Sequence, residues 1–299
     1  MRAAVLGHPI AHSLSPVLHR AAYASLGLDW AYDAVDVTQE ELPAFVDALD
    51  ASWAGLSLTM PLKQAVLPLL DHVEPLAVVV GAVNTVVVQR GGVRPTLVGA
   101  NTDVHGIAAA LAEAGAGAGA AGGTGSKDGV AVGGILGEPP VGVVLGAGAT
   151  AASALAGLAH LGVTASVLLA RTAARAGAAM RAAHRMGVDA TVRTLDPADR
   201  ALGLMAGAEV VVSTLPPGAA DALAGLIERS GSAVHGVLLD CAYTPRPTAL
   251  VTAWRGAGGR AVTGERMLLH QAGEQVRLMT GAPAPLAAMD HALAEALAS

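Results

Sequence analysis

The chain has 299 residues, long enough for two domains of ordinary size, each with its own buried core. Its hydrophobic content of 53% comes with only 2% aromatic residues, a composition of Ala, Val, Leu and Gly that suits helices packed closely on a sheet. A formal charge of −6 without any Lys/Arg cluster argues against nucleic-acid or anionic membrane partners and leaves a small molecule as the expected one. The lone cysteine, Cys241, excludes an internal disulfide and any CxxC metal knuckle, and a reducing cytoplasm fits it.

The first hundred residues alternate strand-like and helix-like segments. They run from "RAAVLG" through a helix after "SLSP" to about Leu26, then "WAYDAVDV", a helix over "QEELPAFVDAL", and "GLSLT". Short strands alternating with helices predict a mostly parallel sheet. "AVNTVVVQ" and "VRPTLVGAN", separated by "RGG", read as an antiparallel hairpin that finishes it. Residues 115–140 are rich in Gly and Ala without sustained periodicity and read as a flexible insertion.

From residue 141 the alternation restarts with "VGVVLG", a helix over 149–161, "VTASVLLA", a helix over "AARAGAAMRAAHRM", "VDATVR", "AEVVVST", a helix over 219–230, and "GVLLDC". The uncharged span 139–170 could cross a bilayer by length alone. It contains His160, however, and resolves into strand, glycine turn, helix and strand, the pattern of a buried parallel sheet. Two C-terminal helices, "GERMLLHQAGEQVRLMTGAP" and "PLAAMDHALAEALAS", are expected to pack back on the first domain.

"VVLGAGATAASAL" sets Gly146, Gly148 and Ala151 in a GxGxxA pattern between an apolar strand and a helix. The first glycine permits a tight turn, the second lets backbone approach a pyrophosphate, and the small third residue lets helix and strand pack closely. Phosphate oxygens would then face free N–H groups at the helix N-terminus. Where an acidic residue would select NAD, the chain reads "LLARTAAR". Arg171 and Arg175 flank Thr172, and two guanidinium groups suit the 2′-phosphate of NADP. The competing account makes both arginines solvated charges opening a helix.

An enzyme with such a cofactor needs a proton donor and polar groups at strand ends. Four places qualify. In "HSLSP", Ser13 and Ser15 precede Pro16; the competing account makes Ser15 a helix N-cap and leaves Ser13 incidental. In "LTMPLK", Thr59 ends a strand and Lys63 is one of two lysines in the chain, the other being Lys127; of the cations, lysine is the one readily tuned to give and take a proton. In "GAVNTVVV", Asn84 interrupts an apolar run and must find partners. In "GANTDVHGIAAAL", Asp103 stands where hairpin gives way to helix, and an N-cap role alone accounts for it. The histidines are scattered and form no HEXXH motif, so no metal is expected.

"HSLSP", "LTMPLK", "GAVNT", "NTDVHG", "GAGATA", "ART" followed by Arg175, "YTP" and "MLLHQ" stand in the order and approximate spacing of the shikimate dehydrogenase family, which the chain resembles over nearly its whole length. The resemblance implies an α/β substrate domain of residues 1–103 and 266–299, a Rossmann-type NADP domain of residues 104–265, and an active site in the cleft between them. It implies reversible reduction of 3-dehydroshikimate to shikimate by a cytoplasmic monomer or homodimer.

By the same resemblance, Ser13 and Ser15 hold the substrate carboxylate with Tyr243 nearby. Thr59, Asn84 and Gln271 bind its hydroxyls, and Lys63 and Asp103 form the catalytic pair. Gly146, Ala147, Gly148, Ala149, Arg171, Thr172, Arg175, Thr214 and Gly264 fall to the cofactor. The sequence departs from the family's usual "NVT" at "SLT", placing Ser57 where an asparagine is usual, and from its third loop glycine and the asparagine before "RT" at Ala149 and Ala170. Two other readings share the fold. One is a quinate/shikimate dehydrogenase, or a relative acting on an aminated analogue, using NAD; the other is a non-catalytic NADP-binding protein.

Overall fold

The computed structural model of the chain describes residues 1–92, 94–116 and 141–298. Most of the expected insertion, including Lys127, lies outside the described residues.

In chain order the elements are β1 (Arg2–Gly7), α1 (Ser15–Ser25), β2 (Ala31–Asp36), α2 (Leu42–Asp47), β3 (Trp53–Leu58), α3 (Leu62–Ala65), β4 (His72–Val73), α4 (Pro75–Val80), β5 (Thr85–Gln89), β6 (Thr96–Ala100) and α5 (Asp103–Glu113). They continue with β7 (Val141–Leu145), α6 (Ala149–His160), β8 (Ala165–Ala170), α7 (Gly177–Met186), β9 (Asp189–Thr194), α8 (Ala198–Ala206), β10 (Val210–Ser213), α9 (Asp221–Ser230), β11 (Val237–Asp240), α10 (Ala249–Gly256), β12 (Arg260–Thr263), α11 (Gly264–Thr280) and α12 (Leu286–Ala298). The chain divides into two compact units, Met1–Gly106 with Leu268–Ser299, and Ile107–Met267. The first break falls within α5 and the second within α11.

Unit 1 carries a six-stranded sheet in the order β2-β1-β3-β5-β6-β4. β2, β1 and β3 run parallel, β5 pairs antiparallel with β3, and β5 and β6 form the expected hairpin. β4 adds a two-residue edge beyond β6, too short for any sequence periodicity to mark. Successive residues of β1 serve opposite faces: Ala4 and Leu6 join a cluster with Leu42, Leu56 and Leu62, whereas Ala3 and Val5 join one with Leu18, Leu269, Val276 and Met289. A strand covered on both faces reads as a continuous apolar run. α1 buries Ser15, Leu18, His19, Ala22 and Tyr23, the i, i+3, i+4 face of an amphipathic helix, and packs on α12.

Unit 2 is an all-parallel sheet in the order β12-β11-β10-β7-β8-β9, the doubly wound order of a dinucleotide-binding fold. β12 and helices α8 and α10 complete it. β12 has four residues, one of them Arg260, and lies at the sheet edge, which left it no apolar signature. Trp254 on α10 is fully buried in the unit's core and donates from Nε1 to the Gly236 carbonyl at 3.1 Å. The 139–170 span forms, over its described part, β7, α6 and β8. No helix among the described residues is long and apolar enough to cross a membrane.

Inside unit 1 His19 is completely buried. Its Nε2 meets Gln275 Oε1 at 3.1 Å, its Nδ1 meets the Tyr23 hydroxyl at 3.3 Å, and its ring stacks on Tyr32 with centroids 3.9 Å apart. Burial drives its pKa from 6.5 down to about 4, against the opposing hydrogen bond to Gln275. Between those two values the unfolded chain binds a proton that the folded chain refuses, so stability falls as pH falls through that window. The full effect amounts to about 3 kcal/mol. Urea unfolding should therefore show a steeper loss of stability from pH 6.5 toward pH 4 for the wild type than for His19→Gln; parallel pH dependences of the two proteins would show that His19 does not titrate in this way.

Candidate active site

The candidate site in unit 1 is built where β3, β5 and β6 release the chain. After β3, Thr59 is held by its backbone N–H to the Leu6 carbonyl at 2.9 Å, and the chain turns into the single turn of α3. Lys63 sits in that turn, its carbonyl accepting from Val83 N–H at 2.8 Å, which ties α3 to the start of β5. Its Nζ lies 2.5 Å from Asp103 Oδ2, and the two side chains are 14% and 4% exposed. An ammonium and a carboxylate so far removed from water are retained only with good geometry and further hydrogen bonds.

Asn84 supplies those bonds. Its Nδ2 donates to Asp103 Oδ1 at 2.8 Å and to Thr102 Oγ1 at 2.9 Å, while its Oδ1 accepts from Thr102 N–H at 2.7 Å and from Thr85 Oγ1 at 2.9 Å. The buried amide that interrupts an apolar strand thus finds every partner it needs. The antiparallel register of β5 and β6 brings this about, since it sets "NT" at 84–85 against "NT" at 101–102.

The capping readings of Asp103 and Ser15 are corrected. α5 begins at Asp103, and the Val104 N–H is received by Asn101 Oδ1 at 3.3 Å, so Asn101 does the capping and the Asp103 carboxylate is left for Lys63 and Asn84. α1 begins at Ser15 with Leu14 as its cap residue, and the Ser15 N–H is received by Ser13 Oγ at 3.3 Å. Ser15 is buried at 5% exposure, and Ser13 is partly exposed.

Gln271 is brought in from the far end of the sequence by α11. Its Nε2 donates to the Leu268 carbonyl at 3.0 Å, and its Oε1 accepts from Asn84 Nδ2 at 3.3 Å. One helical turn on, Gln275 donates to the Asn84 carbonyl at 3.2 Å and to Thr85 Oγ1 at 3.1 Å. Sequence reasoning assigned no role to Thr85, Thr102 or Gln275. The available signals were the repeated "NT" and the i, i+4 spacing of the two glutamines. Unit 1 therefore brings Lys63, Asp103, Asn84 and Gln271 into one hydrogen-bonded group, with Thr59 at the neighbouring strand end. Tyr243 belongs to unit 2, where burial, seconded by the charge of Glu265, holds its phenol above the ordinary range. Its loop is pinned by buried Asp240, which accepts from Thr248 Oγ1 at 2.8 Å while Thr248 caps α10.

In unit 2 the glycine loop follows β7. Gly146 has φ +116°, and a Cβ there would meet Thr214 Oγ1 at 2.3 Å. Both conditions restrict the position to glycine. Thr214 in turn donates from Oγ1 to the Leu145 carbonyl at 2.8 Å, so it braces the loop from below. Gly148 is the N-cap residue of α6 with no side-chain cap, and a Cβ built on it meets nothing within 4 Å. Open space over uncapped N–H groups is a fitting cradle for a pyrophosphate, with Ala147 and Ala149 on either side of Gly148 in the chain. Arg171, Thr172 and Arg175 are exposed together just after β8. Gly264 opens α11, where a Cβ would meet the Cys241 carbonyl at 2.3 Å, so close packing against the β11 loop explains its lack of a side chain. Among the described residues no group of three or more His, Cys, Asp or Glu could hold a metal ion.

Two family models match the chain. The one described as "Shikimate dehydrogenase substrate binding domain" covers residues 5–86, and "Shikimate 5'-dehydrogenase C-terminal domain" covers residues 264–294. A protein named shikimate dehydrogenase (NADP(+)) from Geobacter sp. (strain M21) is 36% identical over 305 residues, 99% of this chain and 95% of that protein. Among solved structures, the shikimate dehydrogenase of Mycobacterium tuberculosis superposes with a TM-score of 0.80 at 39% identity, covering 98% of this chain and 99% of that one. The shikimate 5-dehydrogenase of Thermus thermophilus, solved in complex with NADP(H) and shikimate, gives 0.76 at 32% identity over 99% and 100%. With relatives at this identity over almost its entire length, the chain belongs to the shikimate dehydrogenase family.

Proposed function

We propose that this protein catalyses the reversible NADPH-dependent reduction of 3-dehydroshikimate to shikimate, with Lys63 as the proton donor and acceptor. The observation that carries this reading is the largely buried Lys63–Asp103 pair, joined through Asn84 to a wall of hydrogen-bonding groups. NADPH, when bound, supplies the hydride. The Lys63 ammonium hands its proton to the carbonyl oxygen as negative charge develops there, and takes it back in the reverse direction. Asp103 holds the ammonium through Oδ2 while its Oδ1 is occupied by Asn84, so the carboxylate is oriented on both sides.

Thr59, Asn84 and Gln271 receive the ring hydroxyls in this reading, and Ser13, Ser15 and Tyr243 serve the carboxylate. In unit 2, Gly146, Ala147, Gly148 and Ala149 take the pyrophosphate at the α6 N-terminus, braced by Thr214, and Arg171, Thr172 and Arg175 take the 2′-phosphate. Gly264 contributes by close packing. We place the reaction in the cytoplasm, where a single cysteine needs no oxidising partner.

A two-by-two assay of shikimate or quinate against NADP or NAD, followed by absorbance of the reduced nicotinamide, should give its highest kcat/KM with shikimate and NADP. Absence of turnover with that pair refutes the assignment, and better turnover of quinate or with NAD shifts it within the fold. Lys63→Ala should lower kcat by about 10²–10⁴-fold; a loss below about tenfold would reduce the lysine to a tether. Replacing Arg171 and Arg175 together by alanine should raise KM for NADP by about tenfold to a hundredfold while leaving NAD kinetics nearly unchanged. Equal effects on the two cofactors would show that these arginines do not read the 2′-phosphate.

A further inference from the structure

Behind Asn84 lies a run of buried groups that the proposed reaction does not use, and each gives its proton to the next. The Tyr32 hydroxyl donates to Ser57 Oγ at 2.6 Å, and Ser57 donates to Gln275 Oε1 at 2.8 Å. Gln275 Nε2 donates to Thr85 Oγ1 at 3.1 Å, and Thr85 donates to Asn84 Oδ1 at 2.9 Å. Asn84 Nδ2 then donates to Asp103 Oδ1 at 2.8 Å, so the run ends on the carboxylate that holds Lys63. Tyr32 and Thr85 are 0% exposed, Gln275 1% and Ser57 3%.

We infer that Gln275 and Thr85 are positioning residues for the Lys63–Asp103 pair, acting through the amide of Asn84. The inference rests on the function proposed above. Main-chain groups set the direction of the run. The Asn84 carbonyl can only accept, and at 3.2 Å it fixes the nitrogen end of Gln275 toward β5. That turns Gln275 Oε1 to Ser57 and to His19, whose Nε2 at 3.1 Å therefore carries the ring proton. The Thr102 N–H can only donate, and at 2.7 Å it fixes the oxygen end of Asn84.

Between these two amides stands Thr85, whose hydroxyl has one proton to give. Gln275 fills the acceptor side of that oxygen, so the proton is left for Asn84 Oδ1. The other oxygen in reach, Thr102 Oγ1, is farther away at 3.3 Å and already takes a proton from Asn84. An amide that accepts at its oxygen gives more strongly from its nitrogen, and this run crosses two amides in the same sense. In either direction of the reaction Lys63 is for a time a neutral amine, and the Asp103 side chain then keeps its charge at 4% exposure without an ammonium beside it. The donor from Asn84 is what holds the carboxylate in place through that interval.

The test compares wild type, Gln275→Met, Thr85→Val, Thr85→Ser and Tyr32→Phe in the oxidation of shikimate by NADP, in ordinary and in heavy water. Gln275→Met and Thr85→Val should each lower kcat by about threefold to tenfold, raise the solvent isotope effect on kcat, and leave KM for NADP unchanged. The two changes combined should be no worse than the stronger alone, since they break the same run. Thr85→Ser keeps the hydroxyl and should behave as wild type. Tyr32→Phe removes a buried bond from the same core but leaves Gln275 Oε1 its contacts with Ser57 and His19, so it should lower Tm with kcat and the isotope effect unchanged. If Gln275→Met does not fold, Thr85→Val and Thr85→Ser carry the comparison. Wild-type kcat and isotope effect in Gln275→Met or Thr85→Val, a Thr85→Ser enzyme as slow as Thr85→Val, or a Tyr32→Phe enzyme slowed as much, overturns the inference alone. Failure of the wild type to oxidise shikimate overturns the proposed function and the inference with it.

Discussion

The amide of Asn84 is the group on which the rest of the site depends. It lies at 1% exposure between β3 and β6, and its two ends are used in opposite senses. The oxygen gathers the protons of Thr102 N–H and Thr85 Oγ1, and the nitrogen gives protons to Asp103 and Thr102. Asp103 is thereby oriented from the protein side and presents its other oxygen to Lys63. A buried polar group left without its partner costs about 1–3 kcal/mol, so a network of this kind is occupied completely or is destabilising.

The two units solve a common problem with different chemistry. In each, the chain leaves a β-strand, turns, and starts a helix whose first N–H groups have no intrahelical partner. In unit 1 these starts are served by side chains: Ser13 Oγ receives the Ser15 N–H and Asn101 Oδ1 the Val104 N–H, which leaves the Asp103 carboxylate for other work. In unit 2 the start of α6 has no side-chain cap and opens onto clear space above Gly148. Glycine at 146 is needed because Thr214 fills the room a side chain would take. An uncapped helix start with room above it suits an anion brought by a ligand.

Much of the fold was legible. Strands buried on both faces appeared as apolar runs, the amphipathic face of α1 as a helical period, and the doubly wound series as strand and helix in alternation around a glycine turn. Elements without a long apolar period escaped: two-residue β4, edge strand β12 with its Arg260, and α8, which follows a charged and exposed stretch. At the site, Lys63 stood out because lysine is so rare in the chain, and Asn84 because an amide in an apolar strand needs partners. Asp103 and Ser15 did not separate from capping residues, since a cap and a ligand-binding group use the same oxygen atoms. Only the positions of Asn101 and Ser13 separate the two roles.

What the sequence by itself determined was the set of local choices: where helices and strands form, where a backbone must be glycine, and which chemically capable side chains stand at strand ends. Those follow from side-chain period and backbone sterics, which act over a few residues. What only the tertiary structure decided was the pairing of polar groups. Ser57 meets Gln275 across 218 residues of chain, and His19 meets it across 256. No local pattern encodes such pairs, because a hydrogen bond depends on the final position of two atoms to within a fraction of an ångström. The helix α11 that carries Gln271 and Gln275 to the end of β5 makes those choices, and with them the setting of Lys63.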